Sequence, residues 1–216
     1  TTLANILNLT VTATGTYTAT ATSAIGAAGG TAVAAAAAVN VPTHNTIARI
    51  NTGAAVTMTG TLTVQATHTS NVTTTARGDT AGAGVAVGAP LALTISFDSS
   101  VASVARPLTA TGNVTIGSDS TSDTLTEAIA TVKGANPIGL TADQIIGDQM
   151  DFADPNTGTP AAVTLPSAAT ADGPLGIAGA IAVNVAKMDT LALVLVGANV
   201  VSAATLRVRS RNDTDA

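Results

Sequence analysis

The chain has 216 residues, enough for one domain with a sizeable core. Hydrophobic residues make up 46% but aromatics only 1%, so the apolar content is mostly Ala and Val, suited to thin, regular layers of small side chains. Charged residues are 10% and the net charge is −5, with the few Lys and Arg scattered, which argues against a nucleic-acid partner; the absence of Cys excludes disulfides, thiolate metal sites and Cys nucleophiles.

The first residues, TTLANILNLT, carry no basic n-region and no compact apolar stretch, so a signal peptide is not expected there. From Thr10 to Thr22, in TVTATGTYTATAT, every even position is Thr. A period of two is a strand signature, and β-branched Thr favours extended backbone. A hydroxyl face of Thr12, Thr14, Thr16, Thr18, Thr20 and Thr22 is predicted to point outward, with Val11, Ala13, Ala19 and Ala21 turned inward. The uncharged run from Ala24 to Val41 superficially resembles a membrane span. Ala and Gly contribute little transfer energy, however, and no basic flank anchors it.

Self-comparison finds repeats. The stretch LTVTATGTYTATATSA from Leu9 aligns with LTVQATHTSNVTTTAR from Leu62. AAVNVPTHNTIARI from Ala37 aligns with LALTISFDSSVASV from Leu91 and with IAVNVAKMDTLALV from Ile181. TGTLTV from Thr59 matches TGNVTI from Thr111 and, more loosely, AATLRV from Ala203. The first two units are spaced by low fifties of residues, and the third is lengthened. The extra segment, about 134–174, lies within KGANPIGL through ADGP and holds five of the eight prolines and much of the acidic charge. Within it, LTADQIIGDQM is predicted as a short helix with Thr141 as N-cap and Asp143 in the first turn. Strands are expected to resume at Gly176–Val185. The closing LRVRSRNDTDA sets Arg207, Arg209 and Arg211 on one face of a solvated strand.

Short alternating strands without amphipathic helices between them predict an all-β fold. Ordered long repeats favour a β-solenoid over its alternative, a β-sandwich, with residues 1–216 as a single domain carrying the loop and short-helix insertion. Gly26, Gly29, Gly30, Gly53, Gly60, Gly78 and Gly112, with Asn40, Asn51 and Asn113, are expected at its corners. Roughly eight to ten coils stacked about 4.8 Å apart would form a rod about 40 Å long.

The stretches AVNV, NTIARINTGAAVTMTGTLTVQATHTSNVTTTARG, VARPLTATGNVTIGS and RSRNDTDA resemble repeats of very large secreted bacterial proteins of the adhesin, filamentous-haemagglutinin and autotransporter kinds. That resemblance implies a right-handed parallel β-helix acting as a stalk, filament or surface-display segment, secreted or on the cell surface. It implies no catalytic residue.

Chemistry is sparse. No G-x-S-x-G and no H-E-x-x-H occurs. His44 and His68 are the only histidines and are expected on exposed strands or corners, outside any catalytic grouping. GDTAGAGVAVG, from Gly78, misses the dinucleotide spacing and precedes a strand rather than a helix. Tyr17, Phe97 and Phe152 are too few to form sugar-stacking platforms. No enzyme activity and no cofactor are expected. One ion is conceivable: Asp148, Asp151 and Asp154, with Asp143 and Asn156, could offer oxygens to Ca²⁺, although the spacing is not that of an EF-hand loop and a solvated acidic loop accounts for it as well. The expected partners are like copies or neighbouring repeats stacked end to end. A glycan, calcium or ice, bound at the insertion or on the Thr face, is the alternative.

Overall fold

The computed structural model describes residues 6–134 and 175–215. In chain order the strands are β1 (Leu9–Ala34), β2 (Ala37–Asn40), β3 (Thr43–Ile50), β4 (Val56–Met58), β5 (Leu62–Gly88), β6 (Leu91–Val104), β7 (Leu108–Ala110), β8 (Val114–Gly134), β9 (Leu175–Ala178), β10 (Ile181–Val194), β11 (Val200–Ser202) and β12 (Leu206–Asp215). No helix occurs among the described residues, and so none there is long and apolar enough to cross a membrane. The helix expected from Leu140 lies outside them.

Every strand pairing is parallel, which sets aside the antiparallel β-sandwich. The first sheet has the order β1-β5-β8-β12, with β9 also on β5. The second has the order β10-β6-β2, with β3 also on β6. The third is β11-β7-β4. The registers coincide with the repeats: Leu9 pairs with Leu62, Leu62 with Val114 and Val114 with Leu206. Likewise Ala37 and Ile181 both pair with Leu91, and Val56 and Val200 both pair with Leu108. The chain therefore visits the three sheets in one order and returns to each on the next circuit. On the third circuit β8 ends at Gly134 and β9 begins at Leu175.

The strands are far longer than the short ones expected: β1 has 26 residues and β5 has 27. The uncharged Ala/Gly run from Ala24 is strand as far as Ala34, because backbone pairing to β5 outweighs its weak β propensity. One repeat is thus one whole circuit. The first sheet has five strands but is only four deep, not eight to ten coils; at about 4.8 Å per strand it spans roughly 15 Å rather than 40 Å. Gly26, Gly29, Gly30 and Gly78 lie within strands, whereas Gly53, Gly60 and Gly112 lie between them, with Asn51 and Asn113. Asn40 ends β2 and reaches across to β5, where its Nδ2 donates to the Thr73 carbonyl at 3.4 Å.

The β1–β5 register slips between Gly29 and Thr31. Here the chain doubles back. A Cβ at Gly88 would lie 3.3 Å from the Gly78 carbonyl, and one at Gly78 would lie 3.4 Å from Pro90 Cδ. At Gly78 the added atom would also lie 2.9 Å from the Ala34 carbonyl, so a side chain at that position would push the backbone aside. The two arms then face each other across the interior. Near the third sheet the interior is apolar, with Met58, Leu62, Val64, Val104, Leu108 and Ile116 all nearly or wholly buried. Near the reversal it narrows to Ala36, Ala38, Ala76 and Ala92. Between these two apolar zones lies a polar one.

Candidate functional site

Period-two alternation turns even-numbered positions of β5, β6 and β8 inward. In the middle of the interior those positions are polar: His68, Ser70 and Thr74 on β5, Thr94, Ser96, Asp98 and Ser100 on β6, and Ser118, Ser120 and Ser122 on β8 are all buried. Hydroxyls bond across the gap, as in Thr94 Oγ1 to Thr74 Oγ1 at 2.6 Å and Ser118 Oγ to Ser100 Oγ at 2.8 Å. Buried hydroxyls without such partners would be costly.

The densest part of this zone gathers the one Tyr, both His and a carboxylate. His44 on β3 and Asp98 on β6 are register partners. The Asp98 side chain is only 1% exposed, and its Oδ1 lies 2.8 Å from His44 Nδ1. Its Oδ2 accepts from Ser96 Oγ at 3.0 Å and from Ser122 Oγ at 3.3 Å. His68 lies on β5 with its side chain fully buried; its Nδ1 meets Thr46 Oγ1 at 3.0 Å. The His68 Nε2 is 3.7 Å from Asp98 Oδ1, too far for a hydrogen bond, and has no partner. Tyr17 on β1 stacks on His44 with ring centres 4.5 Å apart, and its hydroxyl donates to the Asn45 carbonyl at 2.7 Å. Gly15 leaves the room that Tyr17 and Thr46 occupy.

Both histidines thus correct the sequence expectation of exposed positions: His68 is buried and the His44 side chain is 15% exposed. Burial lowers the His68 pKa; the Asp98 carboxylate opposes that and the neighbouring His44 adds to it. The signal was in the sequence. His68 has the parity of Leu62, Val64 and Ala66, and the alignment of AAVNVPTHNTIARI with LALTISFDSSVASV already sets His44 on Asp98.

The arrangement does not make a nucleophilic relay. Ser70 Oγ, at 3.5 Å, and Asp98 both approach Nδ1 of His44, whereas a relay needs the hydroxyl and the carboxylate on opposite ring nitrogens. Nor do the donors converge on one ion. A ligating imidazole centres about 3.2 Å from a zinc-sized ion, so a tetrahedral pair would sit about 5.2 Å apart. The two rings are 6.5 Å apart, and no group of three such side chains among the described residues is placed to hold a metal. The cluster acts chemically as a buried polar clamp between circuits.

On the outer face of the first sheet, Thr12, Thr14, Thr16, Thr18, Thr20 and Thr22 are exposed on the edge strand β1, and Val11, Ala13, Ala19 and Ala21 are half-buried. The register aligns threonines on β1, β5 and β8 in two columns, Thr10–Thr63–Thr115 and Thr16–Thr69–Thr121, which end on β12 at Arg207 and Asp213. Other columns are broken by Gln65, Asn71, Asp119, Asp123, Leu125 and Glu127. Arg209 donates to both oxygens of Asp119 at 2.8 and 2.9 Å on that face. A depression of about 150 Å³ lies on the second sheet beside Phe97, Lys187 and Asp189, and one of about 450 Å³ lies between Ala28, Asp79 and Lys133. The candidate ligands Asp148, Asp151 and Asp154, with Asp143 and Asn156, fall outside the described residues. No protein-family model, no curated protein and no solved structure matches the chain.

Proposed function

We propose that the chain is a non-catalytic structural and interaction segment of a secreted or cell-surface bacterial protein, a stalk, filament or adhesin repeat built as a right-handed parallel β-helix. The supporting observation is register. Each of the three sheets takes one strand set per circuit, in parallel and in the same order, as in Leu9–Leu62–Val114–Leu206. Parallel returns to one sheet are right-handed in nearly all proteins. The inward columns also run on to both ends: Leu206 and Val208 pair with the buried Val114 and Ile116 yet are 47% and 46% exposed. A strand from a like copy or a neighbouring repeat would extend those columns and satisfy the open backbone edges.

Small-angle X-ray scattering across a concentration series tests this reading. A particle that lengthens at constant cross-section as concentration rises supports it, and strings of particles should then be visible by electron microscopy. A particle of constant dimensions at every concentration would refute end-to-end stacking.

The two threonine columns that span β1, β5 and β8 favour a second reading, in which the outer face of the first sheet binds ice or a glycan through regularly spaced hydroxyls. Replacing Thr16 and Thr69 with Leu should then abolish thermal hysteresis or glycan retention while the fold persists. The Ca²⁺ form of this reading depends on the acidic insertion and is tested by calorimetric titration of the whole chain.

A further inference from the structure

The second sheet and the strand ends leading into it present an apolar outer face across three neighbouring strands. The outward positions are the odd-numbered ones in 31–41, 85–95 and 175–185. Thr31 is the only polar residue among them, and none is charged. Val39, Val41, Leu91, Ile181, Val183 and Val185 are between 40% and 60% exposed. Val33, Leu175 and Ile177 are 59%, 49% and 49% exposed, and the exposed parts of these nine aliphatic residues together open an area on the order of 700 Å², above the roughly 300–600 Å² of a typical monomer's largest patch and close to the ~800 Å² that each partner gives to a standard interface. The sheets elsewhere on the molecule do not behave this way: the outer face of the first sheet carries Thr, Asp and Arg.

We infer that this face pairs with the same face of a second copy of the chain. The area matches what a stable dimer covers, and the composition suits self-association. A charged patch would oppose its own copy across a two-fold axis, whereas an uncharged one does not. Sheet faces stack about 10 Å apart when their side chains interdigitate, and Val, Leu and Ile on a regular lattice allow that. A polar rim borders the patch: Lys187 Nζ pairs with Asp189 Oδ2 at 2.9 Å beside Asn45 and Ser99. This contact lies on a different surface from the strand edges of the proposed end-to-end stacking.

Geometry separates the two modes. A two-fold face contact closes at two copies, whereas head-to-tail stacking is open and grows. The experiment is analytical ultracentrifugation of the whole chain from micromolar to about 100 μM, with Val39→Asp and Val183→Lys as separate variants. Both positions are exposed, so circular dichroism should show an unchanged strand spectrum. The wild type should form a discrete dimer, and each variant should raise its dissociation constant at least about tenfold, since charge is placed in a desolvated contact. A wild type monomeric throughout, or a dimer that neither variant weakens, would overturn the inference. An open ladder of larger species, untouched by both variants, with no discrete dimer also overturns it while supporting end-to-end stacking.

Discussion

His44 and Asp98 stand one above the other in the second sheet, and the carboxylate that receives the imidazole at 2.8 Å is itself almost wholly shielded from water. The pair joins the first circuit to the second. Ser96 and Ser122 complete the carboxylate's shell, so β3, β6 and β8 all meet at one buried side chain. A stack of parallel strands filled only by Ala and Val would slip from one column to the next at little cost, because small apolar side chains are interchangeable. A buried polar cluster held by specific hydrogen bonds favours one register, and this one, with only His68 Nε2 left unpaired, fixes which residue of each arm faces which.

Asp98→Asn is expected to lower stability by about 2–4 kcal/mol, because it removes the charge from a buried, hydrogen-bonded pair while leaving its partners in place. Urea unfolding followed by circular dichroism measures this. Retention of the wild-type midpoint would mean that the clamp contributes nothing to stability.

Acidification should also loosen the fold. The folded pKa of His68 is below the ordinary imidazole value of about 6.5, chiefly because the ring is buried. The unfolded chain therefore binds a proton before the folded one does. Stability is fully present above pH ~6.5 and falls as the pH drops from there towards the folded pKa, below which this contribution levels off. His44, Tyr17 and Thr46 from the neighbouring strands and Asp98 face the ring, and only Asp98 favours the charged form. Unfolding midpoints measured between pH 7.5 and 5 should decline for the wild type and decline less for His68→Gln. Parallel curves for the two proteins would remove His68 as the cause.

The sequence made the sheets legible because the columns are homologous copies. Leu9 on Leu62, Ala37 on Leu91 and Thr59 on Thr111 are alignments before they are contacts. What it obscured was the length of a circuit. Gly26, Gly29, Gly30 and Gly78 look like corners but lie within strands; only at Gly78 would a side chain press on the other arm, with an added Cβ 2.9 Å from the Ala34 carbonyl, whereas at Gly26, Gly29 and Gly30 it would have room. A true corner glycine is Gly197, with φ +82° in the turn that returns Ala198 N to the Leu195 carbonyl at 3.0 Å. The Asn of AVNV was hidden for a related reason. Asn40 and Asn184 share one column with Thr94, and each sends its Nδ2 across the interior to the opposite arm, to the Thr73 and Thr124 carbonyls. Parity places them inward, but only the position of the reversal reveals what they meet.

Two glycines test that packing argument in opposite directions. Gly112 stacks on Gly60 between β7 and β8, and its N donates to the Gly60 carbonyl at 3.0 Å. A Cβ at Gly112 would lie 2.7 Å from that oxygen and 2.8 Å from its carbon, so the backbone of one circuit would have to move away from the other. Gly112→Ala should cost about 1–3 kcal/mol, the range for overpacking a rigid site. Gly179 sits between β9 and β10 with nothing within 4 Å of the same added atom, and its backbone is not in the left-handed region. There Ala only narrows the unfolded ensemble, so Gly179→Ala should be neutral or stabilise by up to about 1 kcal/mol. Urea midpoints of the two variants, compared with the wild type, should therefore move apart. If both fell equally, the spacing between circuits would not be what restricts Gly112. If neither moved, the Gly60–Gly112 stack could open without loss, and close register would be less important to the fold than the columns suggest.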